Sequence, residues 1–158
     1  MPHGAGKTDV VELLIPSNPS YLSMVRSVVG AFARQAGFDD GAADAIVVGV
    51  DEAVANVIRH CYKMRPDRGI LLRCSIIPGG IELRLRDFGA KTDPVDIVCA
   101  RRRRLRPGGL GLKMIKQVMD TVRYDASHPI GNELVMVKFR RRRGRAIARG
   151  AGRTTGGD

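Results

Sequence analysis

The chain has 158 residues, enough for one domain with a real core. Apolar residues make up 44% and aromatic residues only 4%, so that core is aliphatic, and no apolar run is long enough to span a membrane. The formal charge of +11 is localised: five arginines in 101–106, and seven in 140–158 against Asp158, carry all of it and leave a formally neutral domain with one basic loop and one basic tail.

Residues 1–8 are polar and Gly-rich and are expected to be disordered. Gly4-Ala5-Gly6-Lys7-Thr8 mimics the end of a P-loop, but Met1 stands where that motif needs its first glycine, and there is no room for the strand before it. The same stretch has no apolar signal-peptide core. Cys61, Cys74 and Cys99 are scattered without a C-x-x-C pair, which argues against a disulfide framework or a zinc site and for a reducing cytoplasm.

Val10 to Ile15 reads as a strand stopped by Pro16. Ser17-Asn18-Pro19-Ser20 signals a helix start, and Tyr21, Leu22, Val25, Val28, Val29 and Phe32 recur at helical spacing to a stop near Gly37. Arg26 lies on the less apolar side of that helix. A second helix is predicted from about Asp39, its cap, to Tyr62. Its apolar stripe runs through Ile46, Val50, Ala53, Val54, Val57 and Cys61, leaving Glu52, Asn56 and His60 in a line outside it. A carboxylate and a carboxamide one turn apart can share a metal ion, a water or a phosphate, although an isolated E-x-x-x-N is most often two solvated residues.

Ile70 to Ile77 and Ile81 to Arg86 read as strands joined by the hairpin signal Pro78-Gly79-Gly80, and the second runs straight into Asp87-Phe88-Gly89-Ala90. Residues 93–100 suit a short helix and 101–107 a basic loop. Gly108-Gly109-Leu110-Gly111-Leu112 then precedes an amphipathic helix to about Val122, with Leu112, Ile115, Val118 and Met119 on one side. Val122 to Tyr124 and Leu134 to Phe139 read as strands. From Arg140 on there is too little apolar surface to pack, so a disordered tail is expected.

Three pieces thus stand in order: a helix with Glu52 and Asn56, a strand ending in Asp87-x-Gly89, and a glycine-rich opening of a helix. Closely spaced glycines let backbone N–H groups approach phosphate oxygens, and a helix N-terminus favours negative charge. A carboxylate at Asp87, with no side chain at Gly89 to block it, can accept a hydrogen bond from an exocyclic amine such as that of adenine. Asn56 can offer its amide oxygen to Mg2+, which takes few protein ligands when phosphates supply the rest. Glu52 can then orient or deprotonate an attacking hydroxyl. The basic loop, Arg106 included, can close over a triphosphate.

This order and spacing resemble the ATP-binding fold shared by histidine kinases, type II topoisomerase ATPase subunits and MutL, and within it the free-standing anti-sigma-factor serine/threonine kinases of bacteria. The resemblance covers roughly residues 10–140. It rests on Glu52 to Tyr62 as the family's N box, Arg86 to Pro94 as the first glycine box, and Gly108 to Ile115 with Met119-Asp120 as the second. It implies an α+β, two-layer sandwich of the Bergerat type, with a mixed, mostly antiparallel sheet and helices on one face. The kinase domain is placed at 9–140, with a lid at about 90–108. Glu52 is implied as the general base, Asn56 as the Mg2+ ligand and Asp87 with Gly89 as the adenine contact. Gly108, Gly109, Leu110, Gly111 and Leu112 are implied to hold the phosphates, and Arg26 to bind a partner.

One departure is Lys91, which stands where the first glycine box often has its second glycine. The function implied is ATP- and Mg2+-dependent phosphorylation of an anti-sigma-factor antagonist, together with sequestration of a sigma factor by a cytoplasmic homodimer. The alternatives are a non-catalytic ATP-binding regulator and a nucleic-acid binder acting through the arginine-rich tail. The scarcity of aromatic platforms counts against the latter.

Overall fold

A computed structural model describes residues 9–91, 109–125 and 127–141. The expected helix at 93–100, nearly all of the lid with Arg106 and Gly108, and the tail beyond residue 141 lie outside them. Five strands form one sheet: β1 (Val10–Pro16), β2 (Gly69–Ile77), β3 (Gly80–Asp87), β4 (Thr121–Asp125) and β5 (Glu133–Phe139). Their order is β1-β2-β3-β5-β4, and each of the four pairings is antiparallel. Where a mixed sheet is expected from the resemblance, the described pairs contain no parallel neighbour.

Register decides which side chains meet the helices. Leu13, Leu72, Leu85, Leu134 and Tyr124 form one cross-strand row, and Val11, Cys74, Leu83, Met136 and Val122 the next. Most of these side chains belong to the single aliphatic core, together with Val25, Val29 and Phe32 of helix α1 (Leu22–Gln35) and Ile46, Val50 and Val54 of helix α2 (Asp40–Asn56). Each of the larger aliphatic side chains removed from water stabilises the fold by roughly 1.5–3 kcal/mol. The opposite sheet face carries Glu12, Arg73, Glu82, Arg84 and Arg123, so the helices among the described residues lie on one side. The same register puts Asp87 in line with Ile15 and Ile70, on the helix-facing side.

The helix starts follow the sequence signals. Asn18 accepts a hydrogen bond from Ser20 N–H at 3.0 Å to open a 3-10 turn before α1, and Asp39 caps α2 by accepting from Ala42 N–H at 2.8 Å. Two ends depart from expectation. Regular α-helix stops at Asn56, and Val57–Cys61 is wound as one π-helical turn. The last helix, α3 (Gly109–Val118), stops short of the expected Val122, which instead enters β4. Its end is held from the sheet: Lys138 Nζ donates to Val118 O at 2.6 Å, and Asp120 accepts from Phe139 N–H at 2.7 Å.

Candidate functional site

The contact between α2 and α3 fixes the site. A Cβ built on Gly49 would lie 3.3 Å from Met119 and 3.6 Å from Val118, so the absence of a side chain there lets the two helices approach. Seven residues on from Gly49, about two turns, α2 reaches Asn56. Seven residues back from Val118, α3 reaches Gly111. The two meet: a Cβ on Gly111 would run into Glu52 Oε1 and come within 2.9 Å of Asn56 Nδ2. The expectation that Glu52 and Asn56 share a face is borne out, and the structure adds what faces them. Gly109 to Leu112 form the first turn of α3 rather than a loop before it, so the glycines bring helix N-terminal backbone to the pair.

Glu52 and Asn56 are both half-buried. Arg59, on the π turn, reaches back to both: its Nη2 donates to Glu52 Oε1 at 2.8 Å and to Asn56 Oδ1 at 3.2 Å. His60, one regular turn past Asn56, is exposed and takes no part in this contact. Beside them Arg26 of α1 pairs at 2.9 Å with Asp51, the residue before Glu52, and its side chain is 47% exposed.

Asp87 forms the other end. It is 2% exposed, the last residue of β3, and a bare carboxylate so placed would cost several kcal/mol without donors. It has them: Gly89 N–H donates to Oδ1 at 2.9 Å, and Asn132 Nδ2 lies 3.2 and 3.1 Å from the two oxygens. The backbone closes the same contact, with Asp87 N–H donating to Asn132 O at 2.9 Å. Gly131 makes this possible. Its φ is +74°, and a Cβ there would run into the Asp87 carbonyl. Gly89 is likewise tight, with a Cβ position 3.3 Å from both Asp87 Oδ1 and the Tyr62 ring. Tyr62 hydroxyl donates to Gly69 O at 2.6 Å and accepts from Phe88 N–H at 2.7 Å, locking the strand end to the π turn.

Cys61, on that turn, is half-buried and has its thiol pushed up to about 12, first by burial and then by the charge and hydrogen bond of Asp87. Arg59, Cys61 and Tyr62 stand in the N box with no site role assigned to them from the sequence, and Asn132 lies outside all three boxes. Lys91 follows the Gly89 turn at the margin of the described residues.

Among the described residues, Asp125, His128 and Glu133 bring one ligand atom each within 4.8 Å of one another. Asp125 and Glu133 lie on the sheet face away from the helices, and Arg84 at 3.1 Å and Arg123 at 3.8 Å already supply their countercharge.

The family profile of histidine kinase-like ATPase domains matches residues 15–138, which contain every element of this site. A serine-protein kinase RsbW of Listeria monocytogenes serovar 1/2a is 32% identical over 142 residues, covering 83% of this chain and 87% of its own. The chain belongs to the histidine kinase-like ATPases, on their RsbW branch. A serine-protein kinase RsbW of Staphylococcus aureus is 31% identical over 129 residues, covering 73% of this chain and 79% of the relative. The solved structure of the RsbU and RsbW domains of a Mycobacterium tuberculosis protein superposes with a TM-score of 0.60 at 14% identity. It covers 83% of this chain and 32% of that one, a likeness of fold.

The family's nucleotide and metal can be tested against this chain's own atoms. The cradle that a Cβ on Gly111 would fill lies against Glu52 Oε1 and Asn56 Nδ2, with the Asn56 amide oxygen turned to Arg59, so a carboxylate oxygen and an amide oxygen stand beside it. Hard oxygen donors of this kind suit Mg2+ rather than a thiophilic metal. Asp87, buried and acceptor-only, suits an amine-bearing heterocycle. The residues fit. No helix among the described residues is long and apolar enough to cross a membrane.

Proposed function

We propose that this RsbW-branch chain is an ATP- and Mg2+-dependent serine/threonine protein kinase that phosphorylates an anti-sigma-factor antagonist and, as a cytoplasmic homodimer, sequesters a sigma factor. The observation that supports the kinase reading best is the meeting of Gly111 with Glu52 and Asn56, which brings a proton acceptor and a carboxamide side chain to a helix N-terminus. The relatives named serine-protein kinase support the same chemistry.

In this reading Asp87 accepts from the exocyclic amine of adenine, with Gly89 leaving the approach clear. The backbone of Gly108, Gly109, Leu110, Gly111 and Leu112 holds phosphate oxygens, with Arg106 adding charge. Asn56 holds Mg2+, which neutralises developing phosphate charge when bound. Glu52 accepts the proton of the attacking Ser or Thr hydroxyl. The hydroxyl oxygen bonds to the γ-phosphorus as the bond from that phosphorus to the β–γ bridging oxygen breaks, and ADP leaves. Arg26, half-exposed beside Asp51, is assigned to the partner surface.

Glu52→Gln tests this assignment. Transfer to the antagonist falls by roughly 10²–10⁴, while Mg2+-dependent binding of a fluorescent ATP analogue persists. Transfer unchanged in Glu52→Gln would remove Glu52 from the chemistry. A wild type that binds ATP and transfers nothing would favour the non-catalytic regulator.

A further inference from the structure

Both side chains on which the proposed chemistry depends are held by one cation. Arg59 Nη2 bridges Glu52 Oε1 and Asn56 Oδ1, and the Arg59 side chain is otherwise 48% exposed. Arg59 stands three residues past Asn56 and seven past Glu52, spacings that share one helix face, and it is carried on the π turn that begins at Val57. The core beneath maintains it: Ile58 and Tyr62 are buried, Tyr62 N–H donates to Val57 O at 2.9 Å, and the Tyr62 hydroxyl is tied to Gly69 and Phe88. Arg59 is therefore placed by packed structure. An ion pair this exposed adds little to stability, so its consequence lies in what it occupies.

What it occupies is the amide oxygen assigned to the metal. A guanidinium nitrogen 3.2 Å from Asn56 Oδ1 and a divalent cation on that same oxygen are like charges competing for one acceptor. We propose that Arg59 is a positioning residue that stands in for the divalent cation. It keeps Glu52 and Asn56 facing Gly111 when no metal is bound, and it must release Asn56 Oδ1 for metal to bind there. Its bond to Glu52 Oε1 remains to orient the carboxylate. The proposal rests on the reading of this site as a Mg2+–ATP site.

The test uses the full chain, with Arg59→Gln, Arg59→Ala and the charge-preserving Arg59→Lys. Binding of a fluorescent ATP analogue is titrated with MgCl2, and transfer to the antagonist is measured separately at saturating Mg2+. An internal competitor lowers apparent affinity by the fraction of chains in which the site is open. The half-saturating Mg2+ concentration for nucleotide binding should therefore fall about 3- to 10-fold in Arg59→Gln and Arg59→Ala. Transfer at saturating Mg2+ should fall by about tenfold, because Glu52 has lost its orienting partner.

Damage to the fold would weaken both readouts together, whereas the proposal moves them in opposite senses, with Arg59→Lys between the others and wild type. Should Arg59→Ala prove unfolded by circular dichroism, Arg59→Gln carries the same expectation. A Mg2+ titration in Arg59→Gln that superimposes on wild type, or moves to higher Mg2+, overturns the proposal whatever happens to transfer. A wild type that binds no nucleotide at any Mg2+ concentration overturns the ATP reading, and this proposal with it. Wild-type binding with an unmoved variant sinks the role of Arg59 alone.

Discussion

The two ends of the site are built to different rules. At Asp87 a buried carboxylate is fixed by a strand end, an adjacent amide, the side chain and carbonyl of Asn132, and the close backbone of Gly131. At Glu52 and Asn56 two half-buried side chains are fixed by one half-exposed arginine and faced by a glycine. The first end is a finished acceptor whose parts hold one another. The second can be rearranged by moving side-chain ends alone. The proposed function would use this division: a rigid group to recognise the base of ATP, and a rearrangeable one where the phosphates and the acceptor hydroxyl enter and leave.

Two glycine substitutions separate the ends. Gly131→Ala puts a Cβ into the Asp87 carbonyl at a residue with φ +74°, and no rotamer change relieves a clash with backbone. Strain and overpacking together should destabilise the domain by roughly 3–5 kcal/mol, read by urea denaturation. Gly111→Ala meets first the ends of the Glu52 and Asn56 side chains, which can swing aside. It should leave Tm within a few degrees of wild type and lower transfer by roughly a hundredfold through misplacement of those two groups. Equal losses of stability in both variants would erase the distinction between the ends.

Asn132→Ala sharpens the comparison at smaller scale. It removes the side-chain donor from both Asp87 oxygens and leaves Gly89 N–H and the Asn132 backbone contact in place. The expected loss is about 1–3 kcal/mol of stability, with weaker ATP-analogue binding and an unmoved Mg2+ half-saturation. A shifted Mg2+ dependence would mean the two ends are coupled.

Much of this was legible because it is local. Apolar periodicity located both long helices and the hairpin strands, and Asn18 and Asp39 marked their starts. The stacking of Glu52 with Asn56 follows from a spacing of four. Gly111 was legible as a glycine at a helix opening, but its meeting with Glu52 depends on helix packing through Gly49, which no spacing encodes. Asn132 is 45 residues from Asp87 and reaches it only through strand pairing and the positive φ of Gly131. Arg59 was hidden for another reason. Spacings of three from Asn56 and seven from Glu52 put Arg59 on the pair's face, and a spacing of four puts His60 beside Asn56, so spacing does not choose between them, and the structure has Arg59 in contact.

The smallest predicted effect tests the reach of the Asp87 charge. Cys61 and Cys74 both have thiols pushed up to about 12, but for Cys74 the cause is burial alone, while for Cys61 burial is joined by Asp87. At pH 8 a thiol near 12 is thiolate about a thousand times less often than a free cysteine, and alkylation slows accordingly. Iodoacetamide labelling followed by peptide mapping should find both sites slow in the native chain. In Asp87→Asn the carboxylate charge beside Cys61 is gone and desolvation remains, so Cys61 labelling should quicken only severalfold. Cys74 should not change, because no charge contributes to its shift. Parallel acceleration of both cysteines would report loosening of the core instead, and would show that the buried end owes its rigidity to the ionised carboxylate as well as to shape.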